Sequence, residues 1–96
     1  MNMKFEWDAT KSVANYKKHK VTFEEASTIF GSFPFEIFHD PDNSVGEDRF
    51  IAVGSSSRGR TLLVVHCENS NGTLIRIISA RKATKKETKD IFGGHL

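Results

Sequence analysis

Ninety-six residues allow one domain, residues 1–96, with a modest core, because a chain this short buries only about 60–65% of its unfolded surface. The longest apolar run, Leu62 to Val65, is too short to span a bilayer. Met1 to Asp8 carries Lys4, Glu6 and Asp8 where a secretory signal needs an apolar stretch, and the single Cys67 excludes an internal disulfide, so a cytoplasmic protein is expected. The net charge of +2 is unevenly spread: residues 32–48 hold five acids and no Lys or Arg, whereas from Arg49 onward nine Lys/Arg, including all five arginines, face three acids. A basic half on a small domain suits either a polyanion site or a solvated surface, and arginine's planar fork favours phosphate.

Lys4-Phe5-Glu6-Trp7 alternates as a short strand does. Asp8 is an N-cap for a helix running to about His19, with Val13, Ala14 and Tyr16 expected on its inner side. After a break at Lys20, Thr22-x-x-Glu25 forms a capping box for a second helix, Val21 and Ala26 are placed for a hydrophobic staple, and Gly31 is the stop. Phe33 to Phe38 turns toward strand character, Pro34 confining it to an edge. Asp40-Pro41-Asp42-Asn43 is turn chemistry.

Three strands follow, at Arg49 to Gly54, Arg60 to Cys67 and Thr73 to Ala80, joined by loops at Ser55 to Gly59 and Asn69 to Gly72. Thr84-x-x-Glu87 opens a last short helix that Gly93-Gly94 ends. The order β-α-α-β-β-β-β-α predicts an α+β domain whose closing strands form an antiparallel meander with the helices to one side.

Period-two alternation puts Arg60, Leu62, Val64 and His66 on one face of their strand and Thr61, Leu63, Val65 and Cys67 on the other. His66 is either a structural histidine or part of a site lying across the sheet. Arg76 sits in an apolar run, so its charge needs a partner such as Glu47 or Glu68, open solvent, or a ligand. Strict alternation separates Arg76 from Arg81; they share a face only if the strand bulges or ends near Ser79. His39-Asp40-x-Asp42 offers ligand types, but turn chemistry already explains it and no second cluster completes a shell, so no metal is expected. No nucleotide-binding loop or G-x-S-x-G elbow is present, and no cofactor is implied.

Five blocks in order carry a resemblance: Phe5-Glu6-Trp7-Asp8; Lys18-His19-Lys20-Val21-x-Phe23-Glu24-Glu25-Ala26; Gly46-Glu47-Asp48-Arg49-Phe50; Ser56-Ser57-Arg58-Gly59-Arg60; and Arg76-Ile77-Ile78-Ser79-Ala80-Arg81-x-Ala83-Thr84-x-x-Glu87. From about Lys4 to Phe92 the chain resembles the BrnT family. The resemblance implies a RelE-like fold and a type II toxin that cuts RNA and inhibits translation. It also implies a BrnA-like ribbon-helix-helix antitoxin as partner, with operator DNA bound only through the antitoxin complex. Two departures stand out. Lys20 occupies a position that is usually glycine, and Ile91-Phe92 replaces the aromatic hydroxyl many members carry in the last helix, so no tyrosine acid or base is carried over.

The implied chemistry is metal-independent attack by the RNA's own 2′-hydroxyl. Arg60, Arg76 and Arg81 are the expected stabilisers of phosphate charge, with Glu47 or His66 as base or acid and His19 a weaker candidate. Arg58, Lys82, Lys85 and Lys86 are the expected RNA contacts. The same basic surface would also serve a non-catalytic nucleic-acid-binding module or a complex-forming protein of this fold.

Overall fold

The computed structural model describes residues 3–40, 48–69 and 71–93. The element order is β1 (Lys4–Glu6), α1 (Ala9–His19), α2 (Phe23–Ser27), β2 (Phe35–His39), β3 (Arg49–Ser55), β4 (Thr61–Glu68), β5 (Leu74–Lys82) and α3 (Lys85–Phe92), in the order the sequence predicts. The sheet runs β1-β5-β4-β3-β2. From β3 to β5 it is the expected antiparallel meander; β2 extends it antiparallel to β3, and β1 lies parallel to β5, with Phe5 opposite Ile75.

Local chemistry sets the boundaries. The Asp8 carboxylate accepts from the Lys11 amide, and Lys20 closes α1 in the left-handed region at φ 60°, so it takes the conformation usually given to glycine. Thr22 caps α2 through the Glu25 amide, but the Glu25 carboxylate turns away to Arg60 and Ser56, so that box is half made. The box of α3 is complete. The second helix stops at Ser27, where Thr28 bonds back to the Glu25 carbonyl and a turn leads to Gly31.

The core lies between one face of the sheet and α2 with the residues flanking it, while α1 lies along the rim of β5. Val21, Phe23, Ala26 and Ile29 meet Ala52, Leu62, Val64, Ile75, Ile77 and Ala80, all fully buried or nearly so. Gly54 is required here: a Cβ would stand 2.7 Å from Ser32 Oγ and 3.3 Å from the Ile29 carbonyl.

The inner face of α1 differs from the expectation. Val13 and Tyr16 are 58% and 48% exposed, and the buried residue is Asn15. The reason is the exposed rim of β5 beyond its short pairing with β1. Ala80 faces no strand on that side, and the Asn15 amide accepts from its N–H at 3.0 Å and donates to its carbonyl at 2.9 Å. A second bond from Asn15 to the Val21 carbonyl ties the α1–α2 break to the same point. An apolar residue here would leave strand backbone groups unpaired.

Candidate RNA-binding face

One irregularity of β5 decides which face its arginines occupy. Val65 pairs with Ser79 and His66 with Ile77, so Ile78 is an extra residue on β5. Ile77 and Ala80 both point into the core. Arg76, opposite Cys67, and Arg81, opposite Leu63, therefore share the second face of the sheet, the condition the alternation required. They stand at its two ends rather than converging on one point.

At the Arg76 end, Glu6, Arg76, Cys67 and Arg49 form one row across β1, β5, β4 and β3. Strands lie about 4.8 Å apart, so Arg49 and Arg76 flank Cys67 with about 10 Å between their backbones. A cavity of about 280 Å³ opens beside them, lined by Asp8, Lys11, Arg49, Arg76, Ile77 and Ile78. Through Lys11 and Ile78 it continues into a second cavity of about 240 Å³, along Lys18, His19 and Ser79. Lys11, Lys18, His19, Arg49 and Arg76 thus line a groove of two adjoining cavities that share Lys11 and Ile78, with Asp8 in the first. Lys11 carries no sequence signal apart from its charge, and Arg49 has its place in the Gly46-Glu47-Asp48-Arg49-Phe50 block but no sign of its neighbours; the fold brings both to Arg76. A smaller cavity on the other side of Arg76 is lined by Glu6, Cys67, Glu68 and Asn69.

At the other end the arginines are held by carboxylates. Both Arg81 terminal nitrogens donate to Glu87 at 2.8 Å, and Glu87 also accepts from the Thr84 amide. The Arg81 guanidinium, with that amide, pulls the Glu87 carboxyl down to about 2. Because Arg81 is on the second face, this clamp brings the first turn of α3 there rather than to the core side. Lys82, Lys85 and Lys86 stand exposed around it, Lys86 paired with Asp90.

Arg60 is on the core-facing side. Its Nε donates to Glu25 at 2.9 Å, and its Nη2 bonds both Glu25 and the Lys20 carbonyl. Ser56 donates to the same carboxylate at 2.7 Å and receives the amides of Arg58 and Arg60. Arg60 and Ser56 hold Glu25 below the usual carboxylate range against the cost of its burial, and the Arg60 pKa is raised in return. The 56–60 loop is thereby fixed, with Arg58 exposed at its tip.

His66 is fully buried. Phe30 meets its ring edge-on at 5.0 Å, Phe50 stacks on it at 5.7 Å, and Nε2 lies 2.8 Å from Glu68. Glu68 thus gives one carboxylate oxygen, Oε2, to His66. Glu47, Pro41 and Asp42 lie outside the described residues. His39, from the same acidic stretch, is 3.4 Å from Asp48.

Residues 7–87 match the family model described as the ribonuclease toxin BrnT of type II toxin–antitoxin systems. Among solved structures, the Brucella abortus ribonuclease toxin BrnT superposes with a TM-score of 0.64 at 21% identity, covering 86% of this chain and 99% of that one. This likeness shows the shared fold. No curated protein matches the chain.

Proposed function

Because the chain belongs to the BrnT family of ribonuclease toxins of type II toxin–antitoxin systems, we propose that it is a metal-independent endoribonuclease whose RNA lies on the second face of the sheet, over Arg76 and Arg49. The observation that carries this reading is the Arg49–Cys67–Arg76 row beside a groove bordered by Lys11, Lys18 and His19. Two arginines with backbones about 10 Å apart on one face of a sheet, with a lysine at the rim, suit a strand of phosphates. Translation would stop through loss of RNA in the cytoplasm, and a BrnA-like antitoxin would silence the enzyme and carry the complex to operator DNA.

In the proposed reaction the RNA 2′-oxygen attacks phosphorus and the bond to the 5′-oxygen breaks. A 2′,3′-cyclic phosphate and a 5′-hydroxyl are left. Arg76 and Arg49 stabilise the charge that grows on the phosphate, a role in which one preorganised donor is worth about 3–4 kcal/mol. The base is a carboxylate, Glu6 or Glu47, which takes the 2′-hydroxyl proton, and the departing 5′-oxygen takes a proton from water. Glu6 is exposed and lines the cavity beside Arg76, and Glu47 precedes Arg49 by two positions. His66 has no path to substrate from inside the aromatic cluster, so we assign it to the core. Arg60 and Arg81 are positioning residues that fix the Arg58 loop and the lysines of α3, and Arg58, Lys82, Lys85 and Lys86 steer RNA by charge.

The test is cleavage of RNA in EDTA by the unsubstituted chain, Arg76→Ala and Arg49→Ala. Retained wild-type activity and loss in both variants support the reading. Abolition by EDTA removes metal independence, and unchanged cleavage by both variants removes the site.

A further inference from the structure

The outer rim of β2 is built differently from the rest of the surface. β2 is an end strand of the sheet. The Asp40 amide donates to the Arg49 carbonyl, which fixes Phe38 and Glu36 as the inward-bonded residues by alternation and leaves the N–H and C=O of Phe35 and Ile37 directed outward. Ile37 and Phe38, on opposite faces of the strand, are 40% and 43% exposed, and Phe33 just before it is 94% exposed. Edge strands are usually shielded by lysine, proline or a covering segment. Here the charges at the rim are Glu36, exposed, and Asp48, exposed and 3.4 Å from His39 Nε2, in a stretch from 32 to 48 that has no Lys or Arg.

We propose that this edge anchors the antitoxin, taking an extended, cationic segment of it as a further strand beside β2. The inference rests on the chain being a type II toxin. Backbone bonds to Ile37 would set the register. The residue opposite Ile37 would be apolar, covering its open flank, while a Lys or Arg would stand opposite Glu36 and a second apolar side chain opposite Phe38. The acidic rim disfavours RNA. A second copy of the chain joined antiparallel through the same edge, with Phe35 opposite Ile37, would set Glu36 against Glu36, which like-charge repulsion opposes. Charge complementarity therefore selects a basic protein segment. β2 is bonded to β3, the strand that carries Arg49, so the partner would be anchored beside Arg49 at the border of the face that takes RNA, two strands from the β5 of Arg76.

The test uses the full chain and the antitoxin encoded by its neighbouring reading frame. Hydrogen exchange of the complex is expected to slow at the Phe35 and Ile37 amides. Ile37→Lys is expected to weaken antitoxin binding by at least about thirtyfold, as loss of a buried interface anchor does, and Glu36→Lys by about tenfold. Val13→Lys, the same charge on a more exposed apolar residue of α1, should leave the affinity within about twofold. Free Ile37→Lys should melt and cut RNA like the unsubstituted chain. An antitoxin that silences the enzyme while these amides exchange as in the free chain would overturn the proposal and leave the toxin reading standing. Concentration-dependent protection in the free chain would assign the edge to a second copy and overturn it as well. Absence of any complex would overturn the proposal together with the partner it rests on. Failure to cut RNA, with antitoxin still bound at β2, would overturn the nuclease reading alone.

Discussion

Arg60 and Glu25, 35 residues apart, are joined by two guanidinium–carboxylate hydrogen bonds, and the carboxylate is the buried member of the pair. Removing Arg60 strands a buried charge whose remaining side-chain partner is Ser56. Arg60→Ala is expected to cost about 3 kcal/mol, the low end for breaking a buried pair because Arg60 is a quarter exposed. Arg60→Lys should recover only part of this, since an ammonium cannot span both oxygens. Urea denaturation reads the loss directly, and a midpoint unchanged in Arg60→Ala would show that the pair holds nothing together.

Arg76 should behave in the opposite way. Arg76→Ala and Arg49→Ala are each expected to slow RNA cleavage about 100- to 1,000-fold with kcat falling more than KM rises. Neither should move the melting temperature as far as Arg60→Ala does. Single-turnover cleavage combined with thermal melting separates the two behaviours. If Arg60→Ala proves fully folded and as inactive as Arg76→Ala, the proposed site is in the wrong place.

The fold was legible because each boundary has its own local chemistry. Asp8, Thr22, Thr84 and Gly93 are caps whose signals do not depend on the rest of the chain. Even the αL cap at Lys20 follows from its position between two helical patterns. The site was less legible, for a definite reason. Alternation assigns faces only while the register is unbroken, and the extra Ile78 moves Arg81 onto the face of Arg76. Nothing in Ile77-Ile78-Ser79 says which residue the ladder will skip. Asn15 was hidden in the same way, because a polar residue in an amphipathic helix looks solvent-facing until the strand rim it satisfies is known. Arg49 and Lys11 come to Arg76 only through pairing of elements far apart in sequence.

Acid should weaken the second face through Glu87. Its folded pKa, about 2, is depressed below the ordinary carboxylate value of 4.5, first by Arg81 and then by the Thr84 amide. The stabilisation is therefore present above about pH 4.5 and is lost as pH falls through about 2. The pair is about one-third exposed, so solvent screening limits the contribution to the order of 1 kcal/mol. Glu25, also depressed, adds a loss of the same sign. Stability measured from pH 6 down to pH 2 should fall less steeply in Glu87→Gln than in the unsubstituted chain. Parallel curves would mean that Glu87 titrates alike in the folded and unfolded chain.

Asn15 gives the sharpest separation of hydrogen bonding from packing. Its amide makes three buried bonds, two donated to the Val21 and Ala80 carbonyls and one accepted from the Ala80 N–H. Asn15→Leu keeps the branched shape but strands those three backbone groups, at about 1–3 kcal/mol each when left unsatisfied, and is expected to cost at least about 3 kcal/mol in all. Asn15→Asp is the more telling variant. An ionised carboxylate accepts from the Ala80 N–H but meets two carbonyls with no proton to offer, whereas the protonated acid can donate to one of them. Burial against those carbonyls raises the folded pKa of the new acid, so the stability it retains is present below the unfolded value of about 3.9 and is lost as pH rises through the folded one. The destabilisation of Asn15→Asp relative to the unsubstituted chain should thus be smaller at pH 4 than at pH 7. A penalty independent of pH would show that the side chain at position 15 turns to solvent and that the β5 rim is satisfied by something else.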